Sequence, residues 1–295
     1  MNGWLNLYKP LNISSAALVA LVKKILGKNV KVGHCGTLDP LADGVLPLVI
    51  GQATKLSNYI LGSCKTYVFT IKFGSQTATG DAEGQVIARC DFIPNSLEDL
   101  SAVTNLFLGV IEQKTPKYSA VKSAGIAHYK LARLGLEVPE KIRSVQIFSL
   151  KLLNINTSEG CATYEVICSK GTYVRSLAED IARSLKSLGF VLSLTRVTVK
   201  KFSCHNSLSG NALIELPIQQ ALEQIKAHLL PVEYILDDIP VFDLSEQEAL
   251  QIMQGKKIQI QHNDLSLVWL RYEGRILTIG HLLNKEYNIF RNFNL

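Results

Sequence analysis

Three glycines and a proline fall within the twelve residues Gly33-His34-Cys35-Gly36-Thr37-Leu38-Asp39-Pro40-Leu41-Ala42-Asp43-Gly44. No regular helix or strand runs uninterrupted through that density, so the segment must include an irregular loop. It nevertheless carries His34, Asp39 and Asp43. Glycines let backbone approach a ligand closely, and loops on a rigid scaffold often carry functional groups. Asp-Pro and Asp-Gly are also common turn dipeptides, so on pattern alone these aspartates read more readily as turn formers than as chemistry. The loop lacks the Gly-Lys-Ser/Thr ending of a phosphate-binding loop, and no GxGxxG opens a helix after a strand. Neither HExxH nor a nucleophile elbow occurs, and metal-ligand spacing is absent, so chemistry without a cofactor or metal is expected.

Around this loop the chain reads as mixed helix and strand. Ser14 or Ser15 can cap a helix with Leu18, Leu21, Val22 and Ile25 on one face, ended by Gly27. Ser96 with Asp99 opens a second run that Gly109 stops. A third carries Leu177, Ala178, Ile181, Ala182, Leu185 and Leu188, and Ser245 with Glu248 opens a fourth. Strict alternation over residues 66–73 predicts a strand, and 150–156, 162–168, 191–202, 265–270 and 275–280 also read as extended. Without regular βαβ spacing, the expected class is α+β rather than doubly wound.

A length of 295 residues suits roughly two domains. The pattern loosens between Leu229 and Pro240, which places a boundary near residue 232 and leaves a small β-rich unit over residues 233–295. The six cysteines form no CxxC pair and read as reduced thiols of a cytoplasmic protein. No signal-peptide pattern is seen at the start, and the densest apolar run, Val45–Ile50, is too short to cross a bilayer. The net charge of +6 permits a polyanionic partner without requiring one.

Three further segments are candidates for function. Ser169-Lys170-Gly171-Thr172-Tyr173-Val174-Arg175 joins a strand to the third helix. Arg175 falls in that helix's first turn, where the macrodipole disfavours a cation, so it needs a carboxylate or phosphate partner unless it is simply solvated. Lys65-Thr66-Tyr67 begins a strand, with Tyr67 in register with Phe69 and Ile71 and therefore more readily read as a core residue than as a functional one. Residues 111–147 carry seven basic side chains interleaved with Tyr118 and Tyr129, which suits RNA and would also suit a solvated face.

In order along the chain, these blocks resemble the bacterial tRNA pseudouridine-55 synthase family. The signature loop stands at residues 33–47, followed by Lys65-Thr66-Tyr67, Thr79-Gly80-Asp81-Ala82-Glu83-Gly84, Pro116-Lys117-Tyr118-Ser119-Ala120-Val121-Lys122 and Cys168–Arg175. Lys9 and Pro10 resemble the family's opening, and residues 244–259 resemble the start of a PUA-like RNA-binding domain. The resemblance implies a mixed, largely antiparallel sheet flanked by helices, with a synthase domain over residues 1–232, a thumb-like insertion at 111–147 and a PUA-like domain at 233–295. It implies that Asp39 is the essential carboxylate, that Arg175 pairs with it, and that Tyr67 stacks on a uridine flipped out of the T-loop. Tyr173, Leu194, Lys65, Lys9 and His34 are implied substrate contacts. Because uridine and pseudouridine are isomers, no cofactor, metal or second substrate is implied. The partner is the tRNA T-arm, and the protein is expected to be a cytoplasmic monomer without membrane association.

This chain departs from the family pattern at Cys35, at Asp43 and at Tyr8, where Thr, Thr and Asp are usual. The Asp43 charge is expected to raise the Asp39 pKa or to repel phosphate. Two other readings stay open: a catalytically silent RNA-binding protein on the same scaffold, and a sugar-processing enzyme using Asp39 with Asp43. The second is disfavoured because such carboxylates must face each other across a substrate.

Overall fold

Alternation of apolar and polar residues turns much of the chain into one twisted sheet. The computed structural model describes residues 1–119 and 121–294, so Ala120 of the 116–122 block lies outside the described residues. The main strands are β1 (Gly3–Lys9), β2 (Ala42–Ile50), β3 (Lys65–Phe73), β4 (Gly109–Lys114), β5 (Ile142–Asn156), β6 (Cys161–Cys168) and β7 (Gly189–Val199). Their spatial order is β1-β2-β7-β3-β6-β5-β4, with the short strand Leu208–Ser209 outside β1. Neighbours along β1 to β4 are antiparallel except β2 and β7, which run parallel and pair Leu194 with Ala42, Thr195 with Asp43 and Arg196 with Gly44. The α+β expectation holds.

The helices flank this sheet. Helix α1 (Ser15–Leu26) buries Leu18, Val22 and Ile25 against Leu5, Leu7, Leu46 and Leu48 of β1 and β2. Helix α2 (Leu97–Ala102) is capped by Ser96, whose hydroxyl accepts from the Asp99 amide. The expected continuous helix to Gly109 does not form. From Val103 to Phe107 the chain tightens to a 3-10 turn, where the Thr104 hydroxyl donates back to the Ser101 carbonyl at 2.7 Å and competes with α-helical pairing. Helix α3 (Val174–Ser184) packs Leu177, Ala178, Ile181 and Ala182 against Phe69, Ile71 and Val191. Each fully buried Leu, Ile or Phe of such a core contributes about 1.5–3 kcal/mol. Helix α4 (Ile218–Ala227), not expected from the sequence, presents Ala221 and Ile225 to the α1 side.

A second, four-stranded sheet follows: β8 (Val241–Asp243), β9 (Leu265–Tyr272), β10 (Arg275–Leu283) and β11 (Glu286–Asn292), in sequential order. Helix α5 (Glu246–Met253) covers it, opened by reciprocal bonds between Ser245 and Glu248. The stretch near residue 232, where the sequence pattern loosens, is a buried seam and not an exposed linker. Val232, Ile235 and Leu236 share one core with Trp4, Phe202, Trp269 and Ile279. The Trp4 indole donates to the Val232 carbonyl at 2.8 Å, so the chain end of the large sheet grips the seam. No helix among the described residues is long and apolar enough to cross a membrane. All six cysteines are free, with Cys35, Cys161 and Cys168 buried.

Candidate active site

Asp39 sits where β2 begins, on a loop that four separate elements hold by its backbone. The Ser15 hydroxyl donates to the Leu38 carbonyl at 3.0 Å and accepts from the Leu38 amide at 2.9 Å, while Ser14 caps α1. Of the two candidate caps, therefore, Ser14 serves the helix and Ser15 the loop. On the other side of Asp39, the Pro40 carbonyl accepts from the Asn12 amide at 2.8 Å and from Lys9 Nζ at 3.3 Å. Arg196 of β7, 1% exposed, donates to the carbonyls of Gly36 at 3.0 Å, Thr37 at 3.4 Å and Val45 at 2.7 Å. The parallel register with Gly44 brings Arg196 there. A Cβ on Gly44, whose φ is +101°, would lie 2.3 Å from the Arg196 carbonyl oxygen. Gly44 is thus required both by its conformation and by close strand approach.

Arg175, in the first turn of α3, meets two carboxylates. Its Nη2 lies 2.9 Å from Oδ2 of Asp39 and its Nη1 lies 3.3 Å from Oδ2 of Asp81. The same guanidinium donates to the carbonyls of Thr79 at 2.8 Å and Tyr118 at 2.9 Å. This satisfies the requirement, read from the sequence, that a cation at a helix start needs anionic partners. Arg175 and Asp81 are buried, whereas the Asp39 side chain is 38% exposed and faces a cavity of about 290 Å³. Asp81 is itself fixed by the Thr79 hydroxyl and the Glu83 amide. Glu83 is pushed up by burial and by the charges of Asp81 and Asp39.

The cavity is lined by Asp39, Tyr67, Arg175, Leu194, Tyr173, Lys65 and Arg196, together with Ser119 from the basic insertion. Tyr67 and Leu194 supply its apolar surface; burial raises the Tyr67 phenol, opposed by the nearby Arg196 charge. Tyr173 stands under the Arg143 guanidinium, 5.6 Å from its ring centre. Its backbone is clamped by the fully buried Gln113 side chain, which accepts from the Tyr173 amide at 3.0 Å and donates to its carbonyl at 3.4 Å. A larger cleft of about 520 Å³, bordered by Glu112, Lys114, Glu179 and Arg183, holds neither Asp39 nor Tyr67.

Six of the eight residues expected at the site line this one cavity: Asp39, Arg175, Tyr67, Tyr173, Leu194 and Lys65. Lys65 turns its ammonium to the carbonyls of Ser63 at 2.8 Å and Leu61 at 3.3 Å, and burial lowers its pKa. Lys9 does not line the cavity. It is fully buried, and its Nζ is occupied by the carbonyls of Pro10, Ile13 and Pro40, so it holds the loop. Burial brings it down to about 8 against the raising influence of Asp43 and Asp39. His34 does not line the cavity either; it pairs with Leu48 beside β2, and burial lowers its pKa. Asp43 turns to Tyr8, whose hydroxyl donates to its Oδ2 at 2.8 Å, and does not line the cavity, which leaves the Asp39–Asp43 pairing without a geometric basis. Two of the three departures from the family pattern, Tyr8 and Asp43, thus meet each other.

Asp81 stands in the 79–84 block of the sequence without an assigned role, and neither Arg196 nor Gln113 is marked there. Asp81 between Gly80 and Gly84 reads as a turn residue. Arg196 had a usable signal, since it lies in inward register with buried Leu194, where a charge needs an explanation. Gln113 had none.

Residues 23–174 match the family described as TruB family pseudouridylate synthase (N terminal domain). The chain is 47% identical over 295 residues to the tRNA pseudouridine synthase B of Rickettsia akari (strain Hartford), a match spanning 100% of this chain and 99% of that protein. It is 48% identical over 296 residues to the tRNA pseudouridine synthase B of Rickettsia bellii (strain RML369-C), spanning 99% and 98%. Among solved structures it is similar to a chain of an H/ACA RNP bound to a substrate RNA containing 2′-deoxyuridine. That match has a TM-score of 0.72 and 19% identity and covers 99% of this chain and 85% of that one. A chain of a Cbf5-Nop10-Gar1 complex gives a TM-score of 0.70 and 20% identity, with 99% and 85% covered. At these identities the structural likeness speaks for the fold alone.

Proposed function

The chain belongs to the TruB family of pseudouridylate synthases, and we propose that it isomerises uridine to pseudouridine at position 55 in the T-loop of tRNA, with Asp39 as the catalytic carboxylate. The observation that carries this reading is the Asp39–Arg175 pair. One carboxylate oxygen is held at 2.9 Å by a buried guanidinium, while the side chain opens to a cavity walled by Tyr67 and Leu194. That cavity is of a size to take one nucleotide turned out of the RNA stack, an extrusion costing about a few kcal/mol.

In the reaction the bond between ribose C1′ and uracil N1 breaks, the base turns, and C1′ joins C5. The C5 proton leaves and N1 gains one, so atoms balance with no second substrate. Asp39 acts on the sugar, as nucleophile at C1′ or as base at C2′; both roles use the same ionised carboxylate. Arg175 orients it and offsets its charge, and Asp81 orients Arg175 from behind. The base packs between Tyr67 and Leu194, with Tyr173 beside it.

Residues 1–232 form the catalytic domain in this reading. The exposed Lys117, Lys122, Lys130 and Arg133 of the 111–147 insertion meet the phosphates of the T-arm, and residues 233–295 form a PUA-like RNA-binding domain. The enzyme works as a cytoplasmic monomer.

The test is incubation of the protein with unmodified tRNA transcript, followed by chemical mapping of pseudouridine. One modified uridine in the T-loop is expected. Asp39→Asn removes charge with little change of shape, so it should bind the transcript normally and form pseudouridine at least about a thousandfold more slowly. Near-normal turnover by that variant, or none by the intact protein, sinks the reading.

A further inference from the structure

We propose that the hydroxyl of Ser119 holds the ribose 2′-hydroxyl of the extruded nucleotide, which makes the basic insertion part of the reaction pocket; this rests on the reading of the Asp39 cavity as a uridine-isomerising site. Ser119 is 4% exposed and lines that cavity. Its Oγ is buried, yet it has no hydrogen-bond partner among the described residues. Leaving a buried hydroxyl unpaired is unfavourable, and such groups are normally matched by a partner in the working state. Here the matching group comes with the substrate.

The position of Ser119 along the cavity follows from the residue before it. Nη2 of Arg175 lies 2.9 Å from the Tyr118 carbonyl oxygen and 2.9 Å from Oδ2 of Asp39. The insertion therefore reaches the cavity at its charged end, where Asp39 meets the sugar, while Tyr67 and Leu194 provide surface for the base. The Ser119 carbonyl accepts from the Tyr129 amide at 3.0 Å, which pins the backbone that presents the hydroxyl. A serine hydroxyl both donates and accepts, as does a ribose 2′-hydroxyl, and that group is what distinguishes RNA from DNA at a given site. Ser119 is thus a substrate-positioning residue supplied by the same segment that docks the phosphates.

The test uses the full-length protein with tRNA transcripts carrying either uridine or 2′-deoxyuridine at the modified position. Ser119→Ala removes the hydroxyl. Ser119→Cys fills the same space with a poor hydrogen-bonding group. Both variants are expected to lower the single-turnover rate on the uridine transcript about tenfold and to weaken binding of that transcript, while affinity for the deoxyuridine transcript stays within about twofold of the parent. Competition binding in the Asp39→Asn background, where no turnover intrudes, reads the ribose contact directly. The preference for the uridine over the deoxyuridine transcript should fall to near unity when Ser119→Ala is added. An unchanged rate in Ser119→Ala overturns the proposal, as does full recovery in Ser119→Cys, which would mean that Ser119 merely fills space. A ribose preference that survives Ser119→Ala overturns it too. An intact protein that forms no pseudouridine at all would instead overturn the function on which the proposal rests.

Discussion

Nη2 of Arg175 lies 2.9 Å from Oδ2 of Asp39, and Nη1 of the same guanidinium lies 3.3 Å from Oδ2 of Asp81. One cation from a helix start therefore serves two carboxylates, one buried and one open to the cavity. The open carboxylate is oriented without being enclosed, because the buried one keeps the guanidinium in place from behind.

Arg175→Lys replaces this fork by a point charge that cannot span both carboxylates, so the rate should fall about a hundredfold while the fold persists. Arg175→Met leaves Asp81 buried without its cation and should destabilise the protein by about 3–5 kcal/mol. Adding Asp81→Asn to Arg175→Met should recover much of that stability but none of the activity. Urea denaturation and single-turnover assays on the three variants check this. An active Arg175→Met would mean that the pair plays no part in turnover.

Gly44→Ala should be costly out of proportion to one methyl group. The new Cβ would lie 2.3 Å from the Arg196 carbonyl oxygen and 2.8 Å from its amide nitrogen, and a positive φ adds strain. A loss of about 2–4 kcal/mol is expected, together with impaired activity as the Asp39 loop shifts. Gly274→Ala, also at positive φ but with nothing within 4 Å of its Cβ, should cost only about 1 kcal/mol. Equal losses at the two sites would show that the strands do not need their close approach.

Lys9 should give the protein a pH signature. Burial lowers it from 10.5 to about 8, so between those values the unfolded chain keeps a proton that the folded one has lost. The unfolded state then binds more protons, and the stability linked to Lys9 rises with pH across that window. Loop order runs the other way, since a neutral amine has two hydrogens for the carbonyls of Pro10, Ile13 and Pro40. Turnover should therefore decline above about pH 8. In Lys9→Met the rate should be low throughout and should lack that alkaline limb. A pH–rate profile of the two proteins decides it.

Affinity for tRNA should fall linearly on a log–log scale with added salt, because phosphate contacts release counterions. Replacing Lys117 and Lys130, both exposed on the insertion, by Ala should reduce the slope by about 1–2. A slope indifferent to these changes would place the docking surface elsewhere on the molecule.

Much of the large sheet was legible because its strands alternate in period two; residues 66–73 and 162–168 form β3 and β6 nearly as read. Helices α1, α3 and α5 were legible from caps and apolar spacing. Strands β1 and β2 were not read as strands, since burial on both faces erases alternation in Val45–Ile50. The Tyr8–Asp43 bond shows the limit most clearly. The two residues lie 35 positions apart, and each looked like an isolated departure until antiparallel pairing of β1 with β2 brought hydroxyl and carboxylate together.

By itself the sequence determined that a glycine-rich loop carries Asp39, that a cation opens α3, and that a basic insertion interrupts the sheet, because local backbone conformation and periodicity are short-range properties. Which groups meet was decided by the tertiary structure alone. Sheet register sets Arg196 behind the loop, helix docking sets Arg175 between Asp39 and Asp81, and folding back of the insertion brings Ser119 into the cavity. Contacts between residues distant in the chain depend on strand order and packing, and no local pattern records them.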